Sequence, residues 1–263
     1  MGDAITSPQG QQIRHTSVQG RVSAEEWRVR VDLAAFYRLV AHHGMTDLVL
    51  GHLSARVPGT ADQFLLNPHP RMFEQITASS LVKVDADGNI LLNVGSNYDI
   101  PAYTIHGAVY GARDDVGSAA HTHTAAGMAY SALPDAMLPL SPQGTRFHDA
   151  LARHNFEGVF DNPEERARLI ADMGGIDAAL LENHGYLVCA AGVPECWSLL
   201  YDLEQATLTH LAALSTGAEI IHREGALVSA DKARIDAESQ AFMAARWASQ
   251  CRQLDILDPS YRD

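Results

Sequence analysis

The feature that most constrains this chain is a pair of histidines, His121 and His123, in the run VGSAAHTHT at residues 116–124. Small apolar residues lead into the pair, as in a buried strand. Side chains at positions i and i+2 of a strand project from the same face, roughly 6.5–7 Å apart. Two imidazoles so placed can bind one metal ion at about 2.0–2.1 Å each. The alternative interpretation is two ordinary histidines, one of which caps a helix that begins near Thr124, and the triplet alone leaves both interpretations open.

A third histidine, His184, lies in the sequence Glu182-Asn-His-Gly185, between two apolar segments that have the pattern of strands. A strand end places a side chain at the edge of the sheet. Gly185 can adopt a positive φ and turn the chain away from the imidazole. His121, His123 and His184 would together form a three-histidine site with at least one open coordination position, which is typical of a catalytic metal.

Composition narrows the class of protein. The 263 residues carry a net charge of −13, which argues against binding of a nucleic-acid backbone. No apolar run approaches the roughly 20 residues that span a bilayer, and the first residues lack a signal-peptide pattern, so we expect no membrane partner. Cys189, Cys196 and Cys251 are odd in number and lack ligand-like spacing. They indicate free thiols in a reducing compartment, so we expect a cytoplasmic protein.

Periodicity predicts a layered α/β domain over residues 21–263, after a flexible polar tail over residues 1–20. Strands are predicted over residues 48–57, 63–67, 81–85, 89–93, 177–182 and 186–189, and at the His121–His123 pair. Helices are predicted over residues 24–43, 100–112, 125–132, 163–173, 194–216 and 230–250. Residues 138–158 show no clear period.

Taken together, these motifs resemble the class II aldolase/adducin family. The resemblance implies a three-layer αβα sandwich around a largely antiparallel central sheet, and a homotetramer with active sites at subunit interfaces. It also implies that His121, His123 and His184 bind a divalent metal, with Zn(II) first and Fe(II), Mn(II) or Co(II) as alternatives. The segments of this chain that carry the resemblance are Gly51–Arg56, Phe64–Pro68, Ile76–Val84, Ala112–Val116, His121–Thr124 and Asn183–Gly185.

The sequence departs from the sugar-phosphate aldolases of this family at the positions that define their chemistry. Their catalytic Glu corresponds to Ala102, four residues before His106. Their phosphate-binding positions correspond to Gly51–Ser54, His69–Pro70 and the stretch around Asn97–Tyr98, and the expected phosphate donors are absent there. The resemblance therefore favours a non-phosphorylated substrate and the subgroup nearest the adducin head domain.

Four residues are candidates for catalytic roles in place of the missing Glu. His69 and His148 are candidates because histidine is the residue type most often used for proton transfer, and Tyr103 is a candidate proton donor. Glu182 would orient a ligand histidine from two positions before His184. Ordinary variation at loop positions is the alternative for His69, His148 and Glu182.

Three further residues are candidates for binding the substrate. Arg71 and Arg146 would each hold a carboxylate by two hydrogen bonds, with plain surface placement as the alternative. His52 would contact the substrate, although His52 and His106 both also fit supporting or packing roles.

Three functional hypotheses remain. The first is a metal-dependent carbon–carbon lyase, an aldolase or decarboxylase. Its substrate would be a non-phosphorylated hydroxy- or oxo-acid, either aliphatic or aromatic. The second is a non-haem Fe(II) oxygenase performing oxidative decarboxylation, since three neutral ligands suit Fe(II) about as well as Zn(II). The third is a non-catalytic, adducin-like interaction protein.

Overall fold

The structure is a computed structural model that describes residues 17–92, 94–155, 157, 163–221, 223, 225–237 and 240–263. Eight strands in this part of the chain form one sheet. They are β1 (His52–Arg56), β2 (Phe64–Leu66), β3 (Val82–Val84), β4 (Ile90–Leu92), β5 (Ser118–Thr122), β6 (Ala152–His154), β7 (Ala178–Leu181) and β8 (Gly185–Ala190).

The described residues also form eight α-helices. They are α1 (Ala24–His42), α2 (Ile100–Ala112), α3 (Ala125–Ser131), α4 (Pro142–Phe147), α5 (Pro163–Met173), α6 (Val193–Ser215), α7 (Gly225–Asp236) and α8 (Gln240–Leu257).

The sheet has the strand order β4-β3-β2-β1-β5-β8-β7-β6, with β5 near its centre. The pairings are antiparallel except that of β6 with β7. His121 pairs with His52 of β1 on one side and with Leu187 of β8 on the other. The largely antiparallel sheet expected from the resemblance is therefore confirmed.

Helices cover both faces of the sheet and enclose two apolar clusters. On one face, Ile105 and Val109 of α2 and Leu169 of α5 pack with alternate residues of the strands, such as Ala119 and Leu187. On the other face, α1, α3, α4, α6 and α8 form a larger layer that includes Trp197. This arrangement confirms the three-layer αβα sandwich.

Two helices begin where the sequence predicts. The Ser23 hydroxyl accepts a hydrogen bond from the Glu26 backbone N–H at the start of α1. The Thr124 hydroxyl accepts one from the Gly127 N–H at the start of α3. Both side chains satisfy amide groups that a helix N-terminus leaves without an internal partner. The second cap also fixes the chain directly after His123.

Several predicted boundaries are wrong. The strand predicted over residues 48–57 begins only at His52, because Leu48 and Gly51 have φ of 50° and 80° and interrupt the extended backbone. The stretch without clear period, 138–158, contains α4 and β6, whose short lengths give no measurable repeat. The helix predicted over 230–250 is divided between α7 and α8.

The predicted tail lies mostly outside the described residues, which begin at residue 17. Val18 is already buried, and its backbone N–H donates to the Ser79 hydroxyl. Within the described part of the chain, every helix is too short or too polar to cross a membrane.

The central sheet predicts a large cost for Leu180→Ala. Leu180 of β7 is fully buried, whereas Leu257 at the end of α8 is 58% exposed. Deleting a buried leucine side chain costs about 2–5 kcal/mol, because apolar burial is lost and a cavity remains. Urea denaturation should show this loss for Leu180→Ala and a change within about 0.5 kcal/mol for the matched Leu257→Ala control. Equal effects would contradict the assigned core.

Candidate metal centre

Three imidazoles converge at the end of the sheet where β5 finishes and β8 begins. One nitrogen from each of His121, His123 and His184 lies within 4.8 Å of the others. The ring centroids are 4.6–4.7 Å apart, and the Nε2 atoms of His121 and His123 are separated by 2.7 Å. The structure therefore brings together the three histidines that the sequence singled out, and three neutral nitrogen donors fit a divalent metal such as zinc.

His121 is held by the neighbouring strand. Its Nδ1 lies 2.6 Å from the backbone carbonyl oxygen of Tyr186 on β8. A carbonyl oxygen only accepts, so the hydrogen of the neutral ring is on Nδ1 and the lone pair is on Nε2. This is the tautomer that presents Nε2 to the other two histidines, and backbone support of this kind is common for metal-binding histidines.

His123 is supported by a carboxylate that sequence reasoning missed. It lies one residue beyond β5, and its Nδ1 is 3.5 Å from Oδ2 of Asp47. Asp47 precedes His123 by 76 positions, so no local motif connects them. The general preference for a carboxylate behind a metal-binding histidine would have marked Asp47 only among many acidic candidates.

His184 occupies the turn between β7 and β8. Ser131 of α3 fixes this turn, since its hydroxyl accepts from the His184 N–H and its carbonyl oxygen accepts from the Asn183 N–H. A side chain at Gly185 would place Cβ 2.3 Å from the carbonyl oxygen of Thr122. The glycine therefore allows the turn to approach β5 closely, which is what brings His184 to the other two histidines.

The cluster favours neutral imidazoles. Burial lowers the pKa of His121 well below its ordinary value and lowers the pKa of His184 to about 4, with the neighbouring histidines adding to both effects. Burial also lowers the pKa of His123, although Asp47 opposes this change. Neutral imidazoles have the lone pairs that metal binding requires.

His52 lies beside the cluster. It is opposite His121 in the strand register, and the two ring centroids are 4.9 Å apart. Its Nδ1 is 3.0 Å from Nε2 of His106, a fully buried residue of α2. Burial and the neighbouring histidines lower the pKa of His52 well below its usual range, and burial lowers the pKa of His106 to about 3.

The candidate proton-transfer histidines lie in two different loops. The backbone N–H of His69 donates to the carbonyl oxygen of Asn97, and its side chain is half-buried. His148 follows α4, where its Nδ1 lies 3.3 Å from the carbonyl oxygen of Met137. Neither contact involves the three-histidine cluster, so proton transfer by either residue remains a prediction.

Tyr103 and Glu182 have specific partners of another kind. The Tyr103 hydroxyl donates to the carbonyl oxygen of Ala86, and this bond ties α2 to the β3–β4 hairpin. The Glu182 carboxylate lies 3.8 Å from the Arg153 guanidinium. Glu182 also follows the last residue of β7, so strand alternation does not place it on the face of His184. Asp47 supports His123, and an orienting role for Glu182 stays a prediction.

The two candidate carboxylate-binding arginines differ. Arg146 donates to the carboxylate of Asp202 at 2.8 Å, and Asp202 also accepts from Arg246. Arg146 is therefore ion-paired to α6, and its contact with a substrate carboxylate stays a prediction. Arg71 is half-buried, and burial lowers its pKa. Arg71 lies two residues before Phe73 in the sequence. The ring of Phe73 packs against Gly51, which is the residue before His52.

The position of the aldolase Glu is closed to solvent. Ala102 is fully buried in the apolar cluster beneath α2. An ionised carboxylate would be costly there unless it were paired.

With the fold and the histidine cluster defined, comparison with known proteins identifies the class. Residues 31–211 match the family described as Class II Aldolase and Adducin N-terminal domain. An aldolase class 2 protein of Pseudomonas aeruginosa, so called from its family, is 45% identical over 249 residues. The match covers 93% of this chain and 96% of that protein. The chain therefore belongs to the class II aldolase/adducin family, as the motifs predicted.

Two further relatives show the range of this family. The crystal structure of an aldolase II superfamily protein from Pseudomonas syringae has a TM-score of 0.89 and 38% identity, covering 94% of this chain and 99% of that one. Mouse alpha-adducin is 34% identical over 191 residues, which are 72% of this chain but only 26% of the adducin. The family thus includes proteins named as aldolases and proteins named as adducins.

The histidine cluster predicts metal content that depends on His184. Protein purified without chelator should contain about one divalent ion per chain when measured by inductively coupled plasma mass spectrometry. His184→Ala should weaken binding by more than the roughly 10–100-fold that loss of an outer partner costs. His42→Ala, at an exposed histidine, is the matched control. Unchanged affinity in His184→Ala would refute the site.

The buried histidines also predict how stability depends on pH. The pKa values of His106 and His184 are about 3 and about 4 in the folded protein, against about 6.5 when unfolded. Between these values the unfolded chain binds more protons, so the free energy of unfolding rises with pH from about 4 to 6.5. Each such histidine contributes up to about 1.4 kcal/mol per pH unit.

Urea denaturation of chelator-treated protein at pH 5 and pH 7.5 would measure this dependence. His106→Gln should reduce the slope, while the exposed control His42→Gln should keep it. A flat profile in the wild-type protein would contradict the neutral state of these buried rings.

Proposed function

We propose that this protein is a metal-dependent carbon–carbon lyase of the aldolase or decarboxylase type. The proposed substrate is a non-phosphorylated hydroxy- or oxo-acid, with aromatic acids included. The observation that supports this most is the convergence of His121, His123 and His184 at one end of the sheet, beside the buried and neutral His52. Family membership supports lyase chemistry in general, and the finer assignment is our own.

The three histidines would hold a divalent ion, with Zn(II) as the first candidate and Fe(II), Mn(II) or Co(II) as alternatives. When bound, such an ion supplies Lewis-acid polarisation of a substrate carbonyl or carboxylate oxygen. Arg71 is our candidate for pairing with a second carboxylate oxygen. His52 is our candidate for contacting the substrate beside the histidine cluster.

Proton transfer must use a group other than the aldolase Glu, because Ala102 occupies that position and is fully buried. His69 and His148 are the leading candidates, since imidazoles act as acid or base near neutral pH. Tyr103 is a weaker candidate, because its hydroxyl already donates to the carbonyl oxygen of Ala86.

The environment of Ser54 supports a substrate without a phosphate group. In the segment that corresponds to a phosphate loop, the Ser54 hydroxyl is fully buried. It is hydrogen-bonded to His106 and Tyr110, so it is unavailable to an external ligand.

A non-catalytic role is the second candidate. The buried alanine at position 102 and the similarity to alpha-adducin favour it. The arrangement of the three histidines favours catalysis, because a protein that only binds partners has no need of three converging neutral imidazoles.

Hydrogen exchange of pyruvate in D2O tests the lyase proposal, because a site that stabilises an enolate removes the methyl hydrogens of this small oxo-acid. Protein loaded with Zn(II), Mn(II), Co(II) or Fe(II) should accelerate the loss of the methyl signal in the proton NMR spectrum by at least about 100-fold over the metal alone. His184→Ala should abolish the exchange, and His42→Ala should retain it. Anaerobic assays of hydroxy- and oxo-acids would then identify the bond that is cleaved.

Two results would overturn the proposal. Oxygen consumption by the Fe(II) protein, without anaerobic turnover, would identify an oxygenase. Metal-loaded protein that neither exchanges pyruvate nor cleaves any acid tested would favour the adducin-like role.

We also propose that the chain forms a homo-oligomer, with a tetramer as the state that the family resemblance implies. The exposed apolar side chains of Leu48 and Leu50 support this proposal, since they lie beside Asp47 at the histidine cluster. Light scattering of the purified protein would measure the assembly, and a monomer at micromolar concentration would contradict it.

A further inference from the structure

Four buried side chains form a continuous hydrogen-bonded series that ends beside the histidine cluster. Oη of Tyr110 lies 2.8 Å from Oγ of Ser54, which lies 2.5 Å from Nδ1 of His106. Nε2 of His106 lies 3.0 Å from Nδ1 of His52. All four residues are at most 5% exposed. We call Tyr110, Ser54, His106 and His52 the polar chain.

The number of hydrogens determines the direction of this polar chain. Each hydroxyl and each neutral imidazole has one polar hydrogen to donate. In the described part of the protein, the hydrogen-bond partner of the Tyr110 hydroxyl is Oγ of Ser54. If Ser54 donated to Tyr110, the buried phenolic hydrogen would have no acceptor among the residues that the structure describes, which is unfavourable. Tyr110 therefore donates to Ser54.

The remaining positions follow in order. The Ser54 hydroxyl donates to Nδ1 of His106, so the hydrogen of His106 is on Nε2. That N–H donates to Nδ1 of His52, so the hydrogen of His52 is on Nε2. The polar chain thus leaves His52 with one remaining polar group, a neutral N–H donor.

This donor belongs to a ring that packs against His121, with centroids 4.9 Å apart. The two rings have opposite tautomers. His121 donates its Nδ1–H to the carbonyl oxygen of Tyr186 and has its lone pair on Nε2, whereas His52 has its hydrogen on Nε2. His121 is thus suited to bind a cation, and His52 is suited to bind an anionic oxygen. An oxygen anion next to a metal is stabilised by a fixed neutral donor of this type.

We propose that His52 donates a hydrogen bond to an anionic oxygen of the ligand at the histidine cluster, and that His106 is the positioning residue that fixes the required tautomer. The ligand class is a carboxylate or enolate that chelates the metal. The ligand assignment rests on the proposed function, whereas the tautomer is a property of the chain alone. The reverse direction would leave a lone pair on Nε2 of His52 and make it a potential fourth metal ligand.

The tautomer is measured directly on the wild-type protein without metal. In long-range proton–nitrogen NMR spectra of the [15N]histidine-labelled chain, protonated and unprotonated ring nitrogens have well-separated shifts. His52 would be assigned by the loss of its signals in His52→Gln and by contacts with the Leu53 side chain. We expect Nε2–H for His52 and His106 and Nδ1–H for His121. An Nδ1–H tautomer at His52 would overturn the proposal.

The anion contact is tested with Co(II) as the metal and oxalate as the probe. Oxalate binding is followed through the visible absorption of Co(II). His52→Phe and His106→Phe should each weaken oxalate by about tenfold while leaving Co(II) affinity within about threefold of wild type. His106→Gln should restore oxalate binding, because its amide supplies an N–H donor. Tyr261→Phe, which removes a buried tyrosine hydroxyl bonded to the Asp255 carboxylate, is the control and should have no effect.

The outcomes separate this inference from the proposed function. Weaker Co(II) binding in His52→Phe would identify a fourth ligand and overturn the donor role. Unchanged oxalate binding in His52→Phe would also overturn it. A wild-type protein that binds no Co(II) would refute the metal site, and the NMR tautomer would still decide whether the polar chain is directed as proposed.

Discussion

The hydrogen bonds on the two edges of β5 are the constraint on which the rest of this protein depends. β1 and β8 both pair antiparallel with β5, and the registers place His52 and Leu187 opposite His121. This pairing brings the end of β5, the start of β1 and the start of β8 together at the same end of the strands. The carbonyl oxygen that fixes the His121 tautomer and the turn that carries His184 are consequences of the same register.

Much of the fold follows from local sequence. The starts of α1 and α3 and the neighbouring strands β3 and β4 are determined by residues close together in the chain, so pattern analysis finds them. The errors occur where tertiary contacts decide. Residues 48–57 have the composition of a strand, but Leu48 and Gly51 adopt positive φ, and Gly51 lies against the backbone of β5. The α4 and β6 segments are too short to show a period and are stabilised by packing.

The candidate site divides in the same way. His121, His123 and His184 lie in compact motifs, and their grouping could be predicted. Asp47 and the polar chain could not, because their partners are distant in sequence and ordinary in residue type. Glu182 is a candidate because of its proximity to His184 in sequence; its carboxylate lies 3.8 Å from the Arg153 guanidinium, and its orienting role stays a prediction. Sequence distance is a poor guide to which group orients an imidazole.

The separation of the three histidines along the chain has a consequence for how the protein folds. His184 follows His123 by 61 positions, and the two meet only after β1, β5 and β8 have paired. Closing such long loops is slow, and it must precede any binding that uses all three side chains. An ion would then bind the completed sheet and would not nucleate it. Its stabilising effect should therefore appear mainly as slower unfolding, with the rate of folding nearly unchanged.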